Sequence, residues 1–223
     1  MIIGGFIKNS FVDFPKYIAS VIFTNGCNFN CDFCHNSQLI SGNEKSNISL
    51  LEIFDFLVQR KGQIDGVVIS GGEPTIQPDL KEVIIKIRKL GYKVKLDTNG
   101  SNPNVLKELL DENLLDYVAM DIKSLPNNYD RFRKGCGKFI EESINILKNC
   151  DTDHEFRITF EPELSVDDIE KISKLVGENE KYYLQKYNPP NSKVVKIPHS
   201  KAEFEEALKK ARMFVPKAEL RGF

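Results

Sequence analysis

Short apolar, β-branched runs alternate along the chain with longer stretches whose apolar residues recur every three or four positions. Strand side chains change face with a period of two and helix side chains repeat about every 3.6 residues, so the runs read as strands and helices in turn. Six strands are predicted, at Ala19–Thr24, Asp65–Ser70, Tyr92–Asp97, Asp116–Asp121, Glu155–Phe160 and Tyr182–Tyr187. Several are almost continuously hydrophobic, as strands covered on both faces should be. The helices carry their own punctuation. Ser49 followed by Glu52 is a capping box ahead of Leu50, Phe54, Leu57 and Val58 on one face. Pro78 opens a second stripe of Leu80, Val83, Ile84, Ile87 and Leu90, which Gly91 ends. Pro103 starts a third with Val105, Leu106, Leu109 and Leu110. A fourth runs from about Gly137 to Asn149, a fifth follows Ser165 through Ile169, Ile172 and Val176, and a sixth covers Lys201–Met213.

This alternation predicts an α/β fold in one domain over 1–223, with an N-terminal extension at 1–18 and six βα units over about 19–214. Six units are too few for a closed eight-stranded barrel, which leaves an open partial (β/α)6 barrel or a doubly wound sheet. Periodicity does not separate these two. Both place the ligand site at the carboxyl ends of the strands, so the residues just after each strand carry the most information.

The 223 residues are 41% hydrophobic, which suits a domain with a sizeable core. Lys plus Arg number 31 against 32 Asp plus Glu, a net charge of −1, so there is no basic field to draw nucleic acid or an anionic membrane. Neither is expected as a partner. No apolar run approaches the roughly 20 residues of a membrane span, and the beginning of the chain lacks a signal-peptide pattern. A cytoplasmic location is the expectation. Of five cysteines, three fall within eight residues, which points to metal in a reducing compartment and not to a disulfide scaffold.

Those three thiols, Cys27, Cys31 and Cys34, follow the first predicted strand. A cubane of four irons normally takes four thiolates, so three leave one iron open to a ligand. A structural zinc with His35 as fourth ligand is the alternative reading of the same spacing. Cys136 and Cys150 have no neighbouring ligands and read as ordinary cysteines. The second strand runs into Gly71-Gly72-Glu73-Pro74, where two glycines permit close backbone approach and Glu73 offers a carboxylate to a cationic group. The third and fourth strands end in Asp97-Thr98-Asn99-Gly100 and Asp121-Ile122-Lys123, setting two acids and an amine on the same rim. Arg157, inside the fifth strand, needs an anion if buried, and Gln185 in the sixth faces either the site or the core.

The Cys-x3-Cys-x2-Cys loop with Phe33 before its last cysteine, followed by Gly71-Gly72-Glu73-Pro74, resembles the radical S-adenosylmethionine (SAM) superfamily from about Phe6 to Pro189. Phe23–Cys27, Cys34–Asn36, Leu96–Gly100, Ala119–Lys123, Glu155–Arg157, Leu184–Gln185 and Ser10–Pro15 are similar to its glycyl-radical enzyme activases, in particular those of anaerobic ribonucleoside-triphosphate reductase. That group usually has glycine where this chain has Lys16, and the Pro-Gly often found after the fifth strand is missing from Ile158–Glu163.

The resemblance implies that Cys27, Cys31 and Cys34 hold a 4Fe-4S cluster whose open iron is chelated by the amino and carboxylate groups of SAM. It further implies that Gly71, Gly72 and Glu73 receive the SAM ammonium, that Phe33 packs on the adenine, and that Lys123 and Arg157 face the carboxylate, with Gln185 also on the cofactor. Asp97, Thr98 and Asp121 match positions that hold a monovalent cation in related activases. Its implied partners are a glycyl-radical enzyme, anaerobic ribonucleotide reductase first, and a flavodoxin or ferredoxin electron donor. A six-unit barrel has an open side through which a polypeptide can present a glycine. The competing readings are a radical SAM enzyme for a small molecule, such as a deazapurine precursor, and a non-catalytic metal module.

Overall fold

The computed structural model describes residues 1–42, 48–189 and 197–222. Eight strands in the described residues form one sheet: β1 (Ile3–Ser10), β2 (Ala19–Thr24), β3 (Gly66–Gly71), β4 (Lys93–Thr98), β5 (Tyr117–Asp121), β6 (Asp153–Phe160), β7 (Tyr182–Lys186) and β8 (Glu219–Arg221). The crossovers are α1 (Leu50–Gln59), α2 (Leu80–Lys89), α3 (Pro103–Asp111), α4 (Gly137–Lys148), α5 (Val166–Val176) and α6 (Lys201–Arg212). The six βα units stand where the hydrophobic pattern put them. The predicted capping box at Ser49 and Glu52 forms, and equivalent boxes start α5 at Ser165 and α6 at Ser200.

Two strands flank those six units. β1, within the stretch read as an extension, pairs antiparallel with β2, and short β8 pairs parallel with β7. Neither gives a strong sequence signal. β1 carries Gly4 and Gly5 after Ile3 and is half-exposed or exposed between its two ends, and β8 is three residues long.

Strand order is β1 to β8 in chain sequence, so the sheet winds in one direction and lacks the reversal of a doubly wound sheet. β1 and β8 are its edges, which makes the arrangement an open partial barrel. Alternate strand residues such as Ile22, Ile69, Leu96, Met120, Ile158 and Leu184 pack with Ile53, Ile84, Leu106, Ile144, Ile172 and Phe204 of the helices in the main core. The intervening residues face the concave side. At its amino-terminal floor a second apolar cluster joins Ala19, Val21, Val68, Tyr117 and Ala119 around Phe14. Phe14 comes from the turn after β1 and packs edge-on against Tyr17 at 5.0 Å; a Cβ on Gly66 would lie 2.8 Å from its ring. This apolar floor leaves the carboxyl end of the concave face for polar groups.

Candidate functional site

Cys27, Cys31 and Cys34 lie on the loop leaving β2, and all are free thiols. Backbone bonds pin the loop where it begins: Gly26 N–H donates to Leu39 O at 2.8 Å and Cys27 N–H to Ile40 O at 3.2 Å. Within it, the Cys34 amide donates to Cys31 O at 3.2 Å, and the Phe29 amide donates to Cys27 Sγ at 3.4 Å. Aromatic rings support it from below. Phe29 stacks on Phe132 at 6.1 Å, and Phe33 meets the same ring edge-on at 5.9 Å. Burial pushes the Cys27 thiol up, partly offset by the Phe29 amide, and pushes Cys31 up to about 11. A metal must therefore displace protons here. Cys136 and Cys150 do not line this region.

The glycine turn has a second purpose that its sequence does not reveal. Gly71 has φ 106°, and a Cβ on it would lie 2.4 Å from Thr24 N; one on Gly72 would lie 2.0 Å from Gly26 O. The turn packs backbone to backbone against the segment entering the cysteine loop, tied to it by Gly72 N–H to Thr24 O and Glu73 N–H to Gly26 O, both at 2.9 Å. Only glycine fits, before any ligand is considered.

Glu73 is fully buried. Its Oε1 accepts from Thr75 N at 3.1 Å, Thr75 Oγ1 at 2.5 Å and Thr98 Oγ1 at 2.7 Å, while Oε2 accepts from Asn99 N at 2.7 Å. Burial raises its pKa, and these four bonds pull the other way. Glu73 thus clamps the ends of β3 and β4 together. Among the described residues Oε2 accepts the Asn99 amide alone, so that oxygen retains acceptor capacity.

Beyond Glu73 a layer of charges crosses the concave face. The Asp97 carboxylate accepts from Ser70 Oγ at 3.1 Å and from the buried Lys95 ammonium. Arg157 bridges two strands, with Nη1 3.5 Å from Asp97 Oδ2 and Nε donating to Asp121 Oδ1 at 2.7 Å. Lys123 Nζ lies 3.6 Å from Asp121 Oδ2 and 5.9 Å from the centre of the Phe33 ring. Buried Glu155 accepts from Tyr117 Oη at 2.9 Å and from both Arg221 nitrogens at 2.9 and 3.2 Å, with Arg157 Nη1 4.0 Å away. Burial disfavours the Asp121 charge, but Arg157 and Lys123 outweigh it and hold the carboxyl below its ordinary pKa.

These groups surround one cavity of about 490 Å³ that takes in all three thiols, Phe33, Gly71, Gly72, Glu73, Asp97, Thr98, Asp121, Lys123, Arg157 and Gln185. Every site residue named from sequence is therefore brought together, with two qualifications of orientation. The Thr98 hydroxyl is turned to Glu73, and the gap between Asp97 and Asp121, the expected monovalent-cation position, is spanned by Arg157. Lys95, Asn99, Glu155, Thr159 and Arg221 were not singled out. Lys95 with Asp97 and Glu155 with Arg157 are charged pairs two residues apart in apolar strands, the signal that would have placed them on one inward face.

The volume suits a ligand of cofactor size. No three His, Cys, Asp or Glu side chains among the described residues are grouped as a single metal ion needs, and His35 is exposed. Three free thiols beside a cavity with a buried acid, an amine and a guanidinium do fit a multi-iron cluster together with a zwitterionic ligand.

No helix among the described residues is long and apolar enough to cross a membrane. The chain is 35% identical, over 99% of its length and 95% of the relative's, to a protein of Methanocaldococcus jannaschii provisionally named a glycyl-radical enzyme activating enzyme. It is 28% identical to the pyruvate formate-lyase-activating enzyme of Clostridium pasteurianum, covering 74% of this chain and 71% of that one. Streptococcus suis SuiB, solved bound to S-adenosylmethionine, shares the fold with a TM-score of 0.68 at 16% identity, over 88% of this chain and 48% of SuiB. The sequence profile of the radical SAM superfamily matches residues 21–176, and with three thiols on the first βα loop facing a cavity of this chemistry, the chain belongs to that superfamily, whose enzymes use a 4Fe-4S cluster and SAM.

Proposed function

We propose that this protein is a glycyl-radical enzyme activase whose substrate is a glycine on a partner polypeptide, that partner being an anaerobic ribonucleotide reductase. The likeness over nearly the whole chain to the Methanocaldococcus jannaschii protein carries this reading. The open edge of the sheet supports it, since the concave side is not closed by pairing of β1 with β8. The Ser10–Pro15 segment and the strand-end motifs favour a reductase activase within that class.

Cys27, Cys31 and Cys34 would hold the cluster. Free acceptor capacity on Glu73 Oε2 and the Gly71–Gly72 backbone would take the SAM ammonium, Lys123 and Arg157 its carboxylate, and Phe33 its adenine, with Gln185 on the far wall. A 4Fe-4S cluster and SAM held by these residues would supply radical chemistry, one-electron reductive cleavage of the sulfonium C–S bond, for abstracting hydrogen from a glycine Cα. The chain's own part is to orient the ligand and to exclude water with the apolar floor around Phe14. Asp97, Thr98 and Asp121 remain the residues for a monovalent cation, which would enter only as Arg157 turns towards the ligand carboxylate. A flavodoxin or ferredoxin would supply the electron.

The test is anaerobic reconstitution, reduction and addition of SAM with and without the reductase from the same source. The expected result is a glycine-centred radical by electron paramagnetic resonance, with 5′-deoxyadenosine, only when the reductase is present. Turnover of a small purine-like substrate with no spin signal would replace this reading with the small-molecule one.

A further inference from the structure

Asn28 lies between a cluster thiol and a core phenyl ring, and neither family motif assigns it a role. Its side-chain amide is used on both sides: Oδ1 accepts from Asn99 Nδ2 at 3.0 Å, and Nδ2 donates to Ser101 Oγ at 2.8 Å. Both partners are themselves held. Asn99 Oδ1 accepts the Ser101 amide at 2.9 Å, the Asn99 amide donates to Glu73, and both side chains are buried. The 28–29 peptide is thus gripped from two directions, by the bonds of the Asn28 side chain to Asn99 and Ser101 in the loop after β4 and by the packing of Phe29 on Tyr129 and Phe132. Its N–H is the group that points at Cys27 Sγ, 3.4 Å away.

We infer that Asn28 is a positioning residue that holds the Phe29 amide on the Cys27 sulfur and thereby favours the reduced state of the cluster. Hydrogen bonds to cluster sulfurs are among the determinants of potential, because reduction adds negative charge that the donor stabilises. The two amide bonds remove rotational freedom from the loop before any iron binds, so the donor is in place at no further entropic cost. The inference rests on Cys27 being a cluster ligand, which iron content of Cys27→Ala tests by itself.

The experiment compares wild type with Asn28→Ala and with Ser101→Ala, which removes one partner without touching the cysteine loop. In the iron-free chain, amide exchange followed by NMR should be about tenfold faster at Phe29 in Asn28→Ala, with a smaller rise in Ser101→Ala. In the reconstituted proteins the midpoint potential should fall in the same order. A tenfold loss of preference for the reduced cluster corresponds to about 59 mV for one electron. Unchanged exchange at Phe29 in both variants overturns the lock, whatever the potentials do. Faster exchange with an unchanged potential overturns the effect on the cluster. If Asn28→Ala does not fold, Ser101→Ala decides alone by the same two readings.

Discussion

Replacing Glu73 with Gln changes one oxygen to an amino group in a fully buried site where every neighbour donates. The Gln oxygen can take the Oε1 position and keep Thr75 N, Thr75 Oγ1 and Thr98 Oγ1 as donors. The amino group then faces the Asn99 amide, which held Oε2 at 2.7 Å, and two donors meet. A buried donor left without a partner costs about 1–3 kcal/mol. The remaining bonds lose their charge assistance, but a neutral amide also escapes the burial penalty that raises the Glu73 pKa, so these two effects oppose each other. The unpaired Asn99 amide therefore sets the balance, and the iron-free variant should melt about 2–12 °C below wild type. Iron content should be unchanged, because the three thiolates and not Glu73 are the proposed iron ligands. SAM affinity should fall roughly tenfold to over a hundredfold, the worth of a charge-assisted bond of about 1.5–3 kcal/mol to the ammonium. Thermal unfolding, iron analysis and SAM titration of the reconstituted protein give the three readings. A variant that melts with wild type refutes the clamp between β3 and β4, and one that binds SAM as wild type does refutes the ammonium role.

Cys27→Ala, Cys31→Ala and Cys34→Ala should each lose the cluster while Cys136→Ala and Cys150→Ala keep it; retention of four irons by Cys34→Ala would reverse that ligand assignment. Burial opposes a charge on His154, but its bonds to Cys150 and Thr152 and the Glu180 carboxylate at 2.7 Å raise its pKa to about 9. A raised folded pKa gives stability that is fully present below the unfolded value of about 6.5 and is lost as pH climbs to about 9. Unfolding free energy should therefore decline over that window in wild type and stay flatter in His154→Gln; parallel curves would remove the effect. Lys16 has φ 71°, a conformation costing a side-chain-bearing residue about 1–2 kcal/mol, against about 0.5–1 kcal/mol of extra chain entropy for glycine. Lys16→Gly should thus melt about 1–4 °C higher while Lys16→Ala does not, and a lower melting point for the glycine variant would contradict the strain.

The left-handed Lys16 also explains one departure noted in the sequence. Its φ of 71° is a conformation that glycine adopts freely, at the position where the activases this sequence resembles usually carry glycine, in the turn that delivers Phe14 to the barrel floor. At the other departure, after β6, fully buried Glu161 accepts from the Glu163 amide at 3.0 Å and pairs with Arg131, which gives that loop its own support.

What the sequence determined by itself is what short-range chemistry specifies. Period-two and helical patterns placed six strands and six helices because side-chain direction follows backbone geometry within a few residues. The three thiols were legible because one loop carries them all, and the glycine turn was legible as a place of close backbone approach, although its packing on the Thr24–Gly26 backbone was not. The edge strands β1 and β8 escaped notice for the complementary reason, since their pairing partners and not their own residues make them strands. Only the tertiary structure decided that the units wind in one direction, that Phe14 closes the floor, and that Glu73 clamps two loops. It also decided that Arg157 lies between Asp97 and Asp121 and that Asn28 reaches Asn99. Those contacts join residues 36 to 71 positions apart, and they exist because parallel register and sheet curvature bring successive strand ends to one rim, a constraint that no local period carries.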